Sequence, residues 1–186
     1  QNQSLMAMRK SLIYSFLLSL LFLFSFISIH AQGNKKALII AVGDYTDKTG
    51  WKPISSANDI PLIKGSLIAQ FFSEEGMIII KDKEATKHGI LKAFDNLYNQ
   101  LVEGDIVVIH YSGHGQQITD DSGDEIDGYD EAIVPVDAHA RFKKGVYEGE
   151  KHIRDDQIGL LLGKIRLKIG PTGSVLLIMD SCHSGT

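Results

Sequence analysis

The sequence predicts an α/β fold with a mainly parallel sheet covered by helices on both faces. Three observations carry this: short apolar runs alternate with segments of helical period, the chemically active residue types gather just after the ends of those runs, and a chain of 186 residues that is 44% hydrophobic can bury one substantial core.

The elements follow in order. KKALIIAVGDY (35–45) is an apolar run closed by Gly43 and Asp44, as expected of a central strand feeding a loop. ANDIPLIKGSLIAQFF (57–72) spaces Ile60, Ile63, Leu67, Ile68 and Phe71 by three and four, with Asn58 or Asp59 as cap and Pro61 in the first turn. That pattern predicts an amphipathic helix. MIIIKDK (77–83) reads as a second buried strand, and TKHGILKAFDNLYNQL (86–101) as a helix with Ile90, Leu91, Phe94, Leu97, Tyr98 and Leu101 on one face. DIVVIHYSGHG (105–115), RDDQIGLLLGKIRLKI (154–169) and SVLLIMDSCHSG (174–185) continue the alternation as strand, helix, strand. Residues 116–153 read as a loop with one apolar piece, AIVPVD (132–137).

The N-terminal stretch is separate. Met6 or Met8 as initiator puts Arg9 and Lys10 before the apolar run SLIYSFLLSLLFLFSFISI, with Ala31 as a cleavage position. Residues 1–31 are therefore expected to be a secretory signal or, if uncleaved, an N-terminal anchor, followed by one domain over 33–186. A secreted or cell-envelope location follows, with membrane contact only if the segment is retained. Because no cysteine lies near the end of the apolar run, a lipoprotein is not expected. The net charge of −4, with scattered Lys and Arg, gives no basic stripe for nucleic acid, and no nucleic-acid partner is expected.

Cys182 is the single cysteine, so an exported domain keeps one unpaired thiol for packing, intermolecular pairing or reactivity. Side chains alternate along strands, which puts Ser112 and His114 on one side of their strand end, and Asp180 and Cys182 on one side of theirs. An imidazole beside a thiol deprotonates it or pairs with the thiolate, the chemistry of cysteine hydrolases. Gly113 and Gly115 permit a sharp turn and leave amides open for an oxyanion. Taken alone, Cys182 reads as a small buried hydrophobe and His114 as a turn residue; the pair on matched strand ends is what points to catalysis. A zinc site on His110 and His114 is excluded by their ~13 Å separation along a strand. His183, next to Cys182, reads as structural.

YSGHG, followed by DSCHSG, with VGDY and ANDI upstream and DGYDEAIVPVD between, resembles the metacaspases, caspase-like cysteine peptidases of bacteria, plants, fungi and protists. The likeness runs from Lys35 to Thr186; the animal caspase signature Gln-Ala-Cys-X-Gly is absent. It implies a caspase-like fold whose last strands lie past Thr186, with Cys182 as nucleophile and His114 as base and proton donor. The amides of Gly115 and Cys182 are implied as oxyanion donors, and Asp59, Ser112 and Asp180 as a pocket for Arg or Lys. The physical argument concurs, since carboxylates beside a nucleophile favour a cationic side chain. Protein or peptide substrates with Arg or Lys before the cleaved bond are thus the expected partners.

No cofactor is required for this chemistry. The loop DDSGDEIDGYDE (120–131) holds seven carboxylates, which ordinarily means a solvated acidic loop, and its spacing is not that of an EF-hand. The resemblance nevertheless implies calcium as activator, on Asp130, Asp155 and Asp156. It also places Ser56 where the family usually has cysteine, a difference expected to affect packing alone. Two other readings are a catalytically silent caspase-like scaffold, and a calcium-binding module that uses only the acidic loop.

Overall fold

The computed structural model describes residues 33–182 other than Asp121 and Asp124. The expected signal or anchor, His183 and the chain end lie outside the described residues. Among those described, no helix is long and apolar enough to cross a membrane.

Four strands form a wholly parallel sheet in the order β2-β1-β3-β7: β1 (Lys35–Ala41), β2 (Met77–Lys81), β3 (Ile106–Ser112) and β7 (Ser174–Asp180). The order follows from the apolar content, because β1 and β3, apolar on both faces, take the centre. Asp105 locks β3 beside β1: its buried carboxylate accepts from the Asn34 amide (2.8 Å) and from the Val102 amide (2.9 Å).

Helices cover both faces. Helix α1 (Asp59–Ala69) lies on one, where Ala37, Ile39 and Val108 pack with Leu67 and Phe72. Helices α2 (Lys87–Gln100) and α3 (Asp155–Ile169) lie on the other, where Leu38, Ile40, Val107, Ile109 and Tyr111 meet Ile90, Phe94, Leu97, Ile158 and Ile165. Thr86 starts α2 by accepting from the Gly89 amide through its side chain, as an N-cap threonine does.

Some expectations change. Helix α1 spans 59–69 rather than 57–72, because the chain turns at Phe71, whose φ of 65° lies in the left-handed region. The turn exposes Phe71 and swings Phe72 into the core, so Phe72, not Phe71, is the packing residue. Asn58 occupies the N-cap position without a side-chain cap bond.

Residues 116–153 are more than a loop. Strands β4 (Gly115–Thr119), β5 (Tyr129–Ile133) and β6 (Ile153–Arg154) make a second, antiparallel sheet. Its pairing is carried by backbone bonds and polar cross-strand partners, such as Gln117 Nε2 donating to Glu131 Oε1 at 3.2 Å, and so leaves little apolar pattern to read.

Candidate active site

The site begins with register. Ala41, Ser112 and Asp180 stand side by side across β1, β3 and β7. The Val42 amide donates to Ser112 O at 2.8 Å and the Gly113 amide to Asp180 O at 3.2 Å, so three loops leave the sheet at one level. His114 and Cys182 are each two residues beyond the matched Ser112–Asp180 pair. Cys182 is exposed.

The strands stop at Ser112 and Asp180, short of the expected 115 and 185. Strand alternation therefore does not reach His114, and the expected common side for Ser112 and His114 is replaced by separate surroundings. Ser112 Oγ donates to Asp59 Oδ2 at 2.8 Å. His114 instead sits among aromatic rings, its imidazole stacked on Trp51 (centroids 4.8 Å apart, 27° between planes) and 4.9 Å from the Tyr45 ring.

Both ends of the His114 residue are held by tyrosine hydroxyls. Its amide donates to Tyr45 Oη at 3.2 Å, and Tyr111 Oη donates to its carbonyl at 2.8 Å. Burial pushes the Tyr45 hydroxyl up to about 12 and that of Tyr111 well above the usual phenol range, so both remain neutral donors. Tyr111 also explains Gly113, where a Cβ would meet Tyr111 Oη at 2.4 Å.

The His114 ring is oriented by backbone. Nε2 lies 2.9 Å from the Lys52 carbonyl, which can only accept, so Nε2 carries the hydrogen and Nδ1 keeps the lone pair. That assigns Nδ1 as the basic nitrogen. The loop bearing Trp51 and Lys52 is anchored at VGDY: Asp82 Oδ1 accepts from the amides of Gly43 (3.0 Å) and Asp44 (2.9 Å), and the Ile54 amide donates to Gly43 O at 2.9 Å. Gly43 is required there, because a Cβ would stand 2.5 Å from Ile54 O.

On the α1 side, Asp59 is half-buried and Asp180 exposed, with the buried Ser112 between them in register. His110, two residues before Ser112, is buried, and its Nδ1 has no hydrogen-bond partner. Burial lowers its pKa, opposed by the charges of Asp180 and Asp59. Gly115 opens β4 opposite Ile133. Ser56, where cysteine was expected from the resemblance, is buried in a 3-10 turn before α1.

Residues 35–186 match the family model described as metacaspase, peptidase C14 domain. The chain belongs to the metacaspase family. It is 34% identical over 161 residues to Metacaspase-1 of Eremothecium gossypii, which covers 83% of this chain and 32% of the relative. With Metacaspase-2 of Arabidopsis thaliana it shares 35% over 163 residues, 83% of this chain and 35% of that one. The crystal structure of protein GSU0716 from Geobacter sulfurreducens matches with a TM-score of 0.63 and 29% identity, covering 82% of this chain and 52% of that chain. The chain thus spans about a third of the length of the curated relatives it matches, and its parallel sheet flanked by helices is the caspase-like fold.

In this metacaspase domain the three carboxylates implied for calcium lie on β5 and in the first turn of α3. Asp130 is buried on β5 and its Oδ2 bonds Arg154 Nη1 at 2.5 Å, a cation already in place. Asp155 and Asp156 are exposed in the first turn of α3, where Asp155 Oδ1 accepts from the Asp156 amide at 3.0 Å. Among the described residues no group of three or more His, Cys, Asp and Glu stands ready for a metal. No step below runs through the ion.

Sequence reading missed the Lys52 carbonyl, Trp51 and Tyr45. Tyr45 lay in the VGDY segment and Trp51 is the chain's one tryptophan, but neither was singled out.

Proposed function

We propose that this chain carries the catalytic dyad of a cysteine endopeptidase that cleaves after Arg or Lys. The observation that carries the reading is the shared register: His114 and Cys182 each follow the paired residues Ser112 and Asp180 by two positions, and the contact of His114 Nε2 with the Lys52 carbonyl supports Nδ1 as the base. Family membership supports a peptidase, and the carboxylates of Asp59 and Asp180 support the choice of a cationic side chain.

In the proposed reaction, His114 Nδ1 takes the Cys182 thiol proton and Sγ bonds to the scissile carbonyl carbon. The oxyanion forms beside the Gly115 and Cys182 amides. The C–N bond then breaks, the imidazolium gives its proton to the leaving amine, and a thioester remains. Water, losing a proton to His114, attacks the thioester; the C–S bond breaks, and the proton returns to sulfur. Throughout, the Lys52 carbonyl stabilises the Nε2–H of the imidazolium, and stacking on Trp51 keeps the ring plane fixed.

The test is hydrolysis of fluorogenic Arg and Lys peptides by the full-length protein. Activity lost in Cys182→Ala and in His114→Ala is the expected result; activity unchanged in Cys182→Ala refutes the proposal. Export through the N-terminal segment belongs to the same reading and is checked by N-terminal sequencing of the mature protein. Calcium activation is a separate proposal from the family resemblance. A calcium titration of the activity, repeated in Asp155→Asn, tests it, with loss of the calcium response in the variant as the expected outcome.

A further inference from the structure

His110 has no part in the dyad, yet it occupies the layer beneath the residues assigned to the cation. It lies two residues before Ser112 on the same face of β3, one pleat or about 6.6 Å deeper, between Ile39 of β1 and Ile178 of β7. It is 4% exposed, and its Nδ1 makes no hydrogen bond, whereas a buried polar atom is nearly always satisfied. An aliphatic residue would pack better in that layer if packing were the only role.

We propose that His110 is the floor of the cation pocket and a specificity-determining residue that sets the pocket's charge. Neutral, it leaves Asp59 and Asp180 to a basic substrate side chain; protonated, it competes with that side chain for the same two carboxylates. The inference rests on the Arg/Lys reading above.

The surroundings give this role its sign. From β7 the charged group acting on His110 is Asp180, and from α1 it is Asp59. On this face β1 contributes the uncharged Ala37, Ile39 and Ala41. Further along α1, Lys64 is held by Glu74 at 2.7 Å. Burial lowers the His110 pKa from 6.5, so the ring is neutral at neutral pH and adds no positive charge to the pocket there. Acidification adds a positive charge at the floor and weakens binding of a cation. By linkage, a bound cation must in turn make His110 harder to protonate.

The experiment uses the full-length protein with Cys182→Ala to prevent turnover. The probes are acetyl-arginine N-methylamide and its neutral counterpart, acetyl-citrulline N-methylamide. Their dissociation constants are measured by calorimetry at pH 7.5 and 5.0, alone and with His110→Gln or His110→Asn added. For the arginine probe the affinity should fall about tenfold on acidification, and by no more than about twofold in the histidine variants, with the citrulline probe insensitive throughout. An equal fall in parent and variants overturns the role of His110 while leaving the pocket intact. Failure of the parent to prefer arginine over citrulline at pH 7.5 refutes the Arg/Lys reading itself, and this inference with it. Should both variants unfold, an NMR titration of the parent decides: a His110 pKa lowered by saturating arginine probe supports the proposal, and one left unmoved overturns it.

Discussion

On one face of β3, Val107, Ile109 and Tyr111 enter a cluster of twenty buried residues; on the other, Val108 has four buried companions before the strand turns polar at His110 and Ser112. The proposed base, His114, is tied to the first face, through the Tyr111 and Tyr45 hydroxyls that hold its backbone. The carboxylates assigned to specificity belong to the second. A base must keep its geometry while the substrate pocket must admit a side chain, and the thickly packed face serves the first need as the thin face serves the second.

The widest test of this contrast is stability. Ile109→Ala should cost about 2–5 kcal/mol and Val108→Ala about 1–2 kcal/mol in urea unfolding. Equal losses would break the comparison.

Next comes a pair of buried histidines. His152, next in sequence to Ile153 of the larger cluster, has both ring nitrogens engaged, Nδ1 with Tyr147 Oη and Nε2 with Gln116 Oε1, each at 2.9 Å. Its pKa is lowered to about 4, first by burial and then by Arg154 and Lys87. The unfolded chain therefore binds the proton more readily than the folded one, and stability is lost as pH falls from about 6.5 toward 4. Between pH 7 and 5 this amounts to about 2 kcal/mol, and the pH-dependent loss should shrink by about that much in His152→Gln. For His110 the same acidification should register in cation binding.

Smaller still is the effect of Asp59→Asn. It should lower kcat/KM for arginine substrates about tenfold through KM, leaving a citrulline substrate unaffected. A matching loss of kcat would place Asp59 in the chemistry instead. The smallest effect is expected for Trp51→Phe, which keeps an aromatic face under His114 and should cost about threefold in kcat; Trp51→Ala should cost more, with unchanged far-ultraviolet dichroism.

The parallel sheet was legible because β1 and β3 are buried on both faces and so read as unbroken apolar runs, bounded by the glycines where their loops begin. Asp59 was expected as a helix cap but is the first residue of α1 after Asn58; the family resemblance implies it as a pocket residue, and its carboxylate is engaged by Ser112. The β4-β5-β6 sheet was not legible, since GQQIT has a single strongly apolar residue and β6 spans only two residues. The shell of His114 was hidden for another reason. Its decisive contact is a main-chain oxygen, which every residue type possesses, and the rings of Tyr45 and Trp51 reach it only because Asp82 and Gly43 fold their loop back.

Because Lys52 holds the His114 ring through its carbonyl, replacing its side chain leaves the contact in place, and an alanine scan passes over the position in silence. The burden of inheritance falls on its neighbour. Pro53 restricts the residue before it to extended backbone and thereby steers where that oxygen points. Among descendants of this chain, residue 52 is free to drift in identity so long as proline, or something equally confining, follows it.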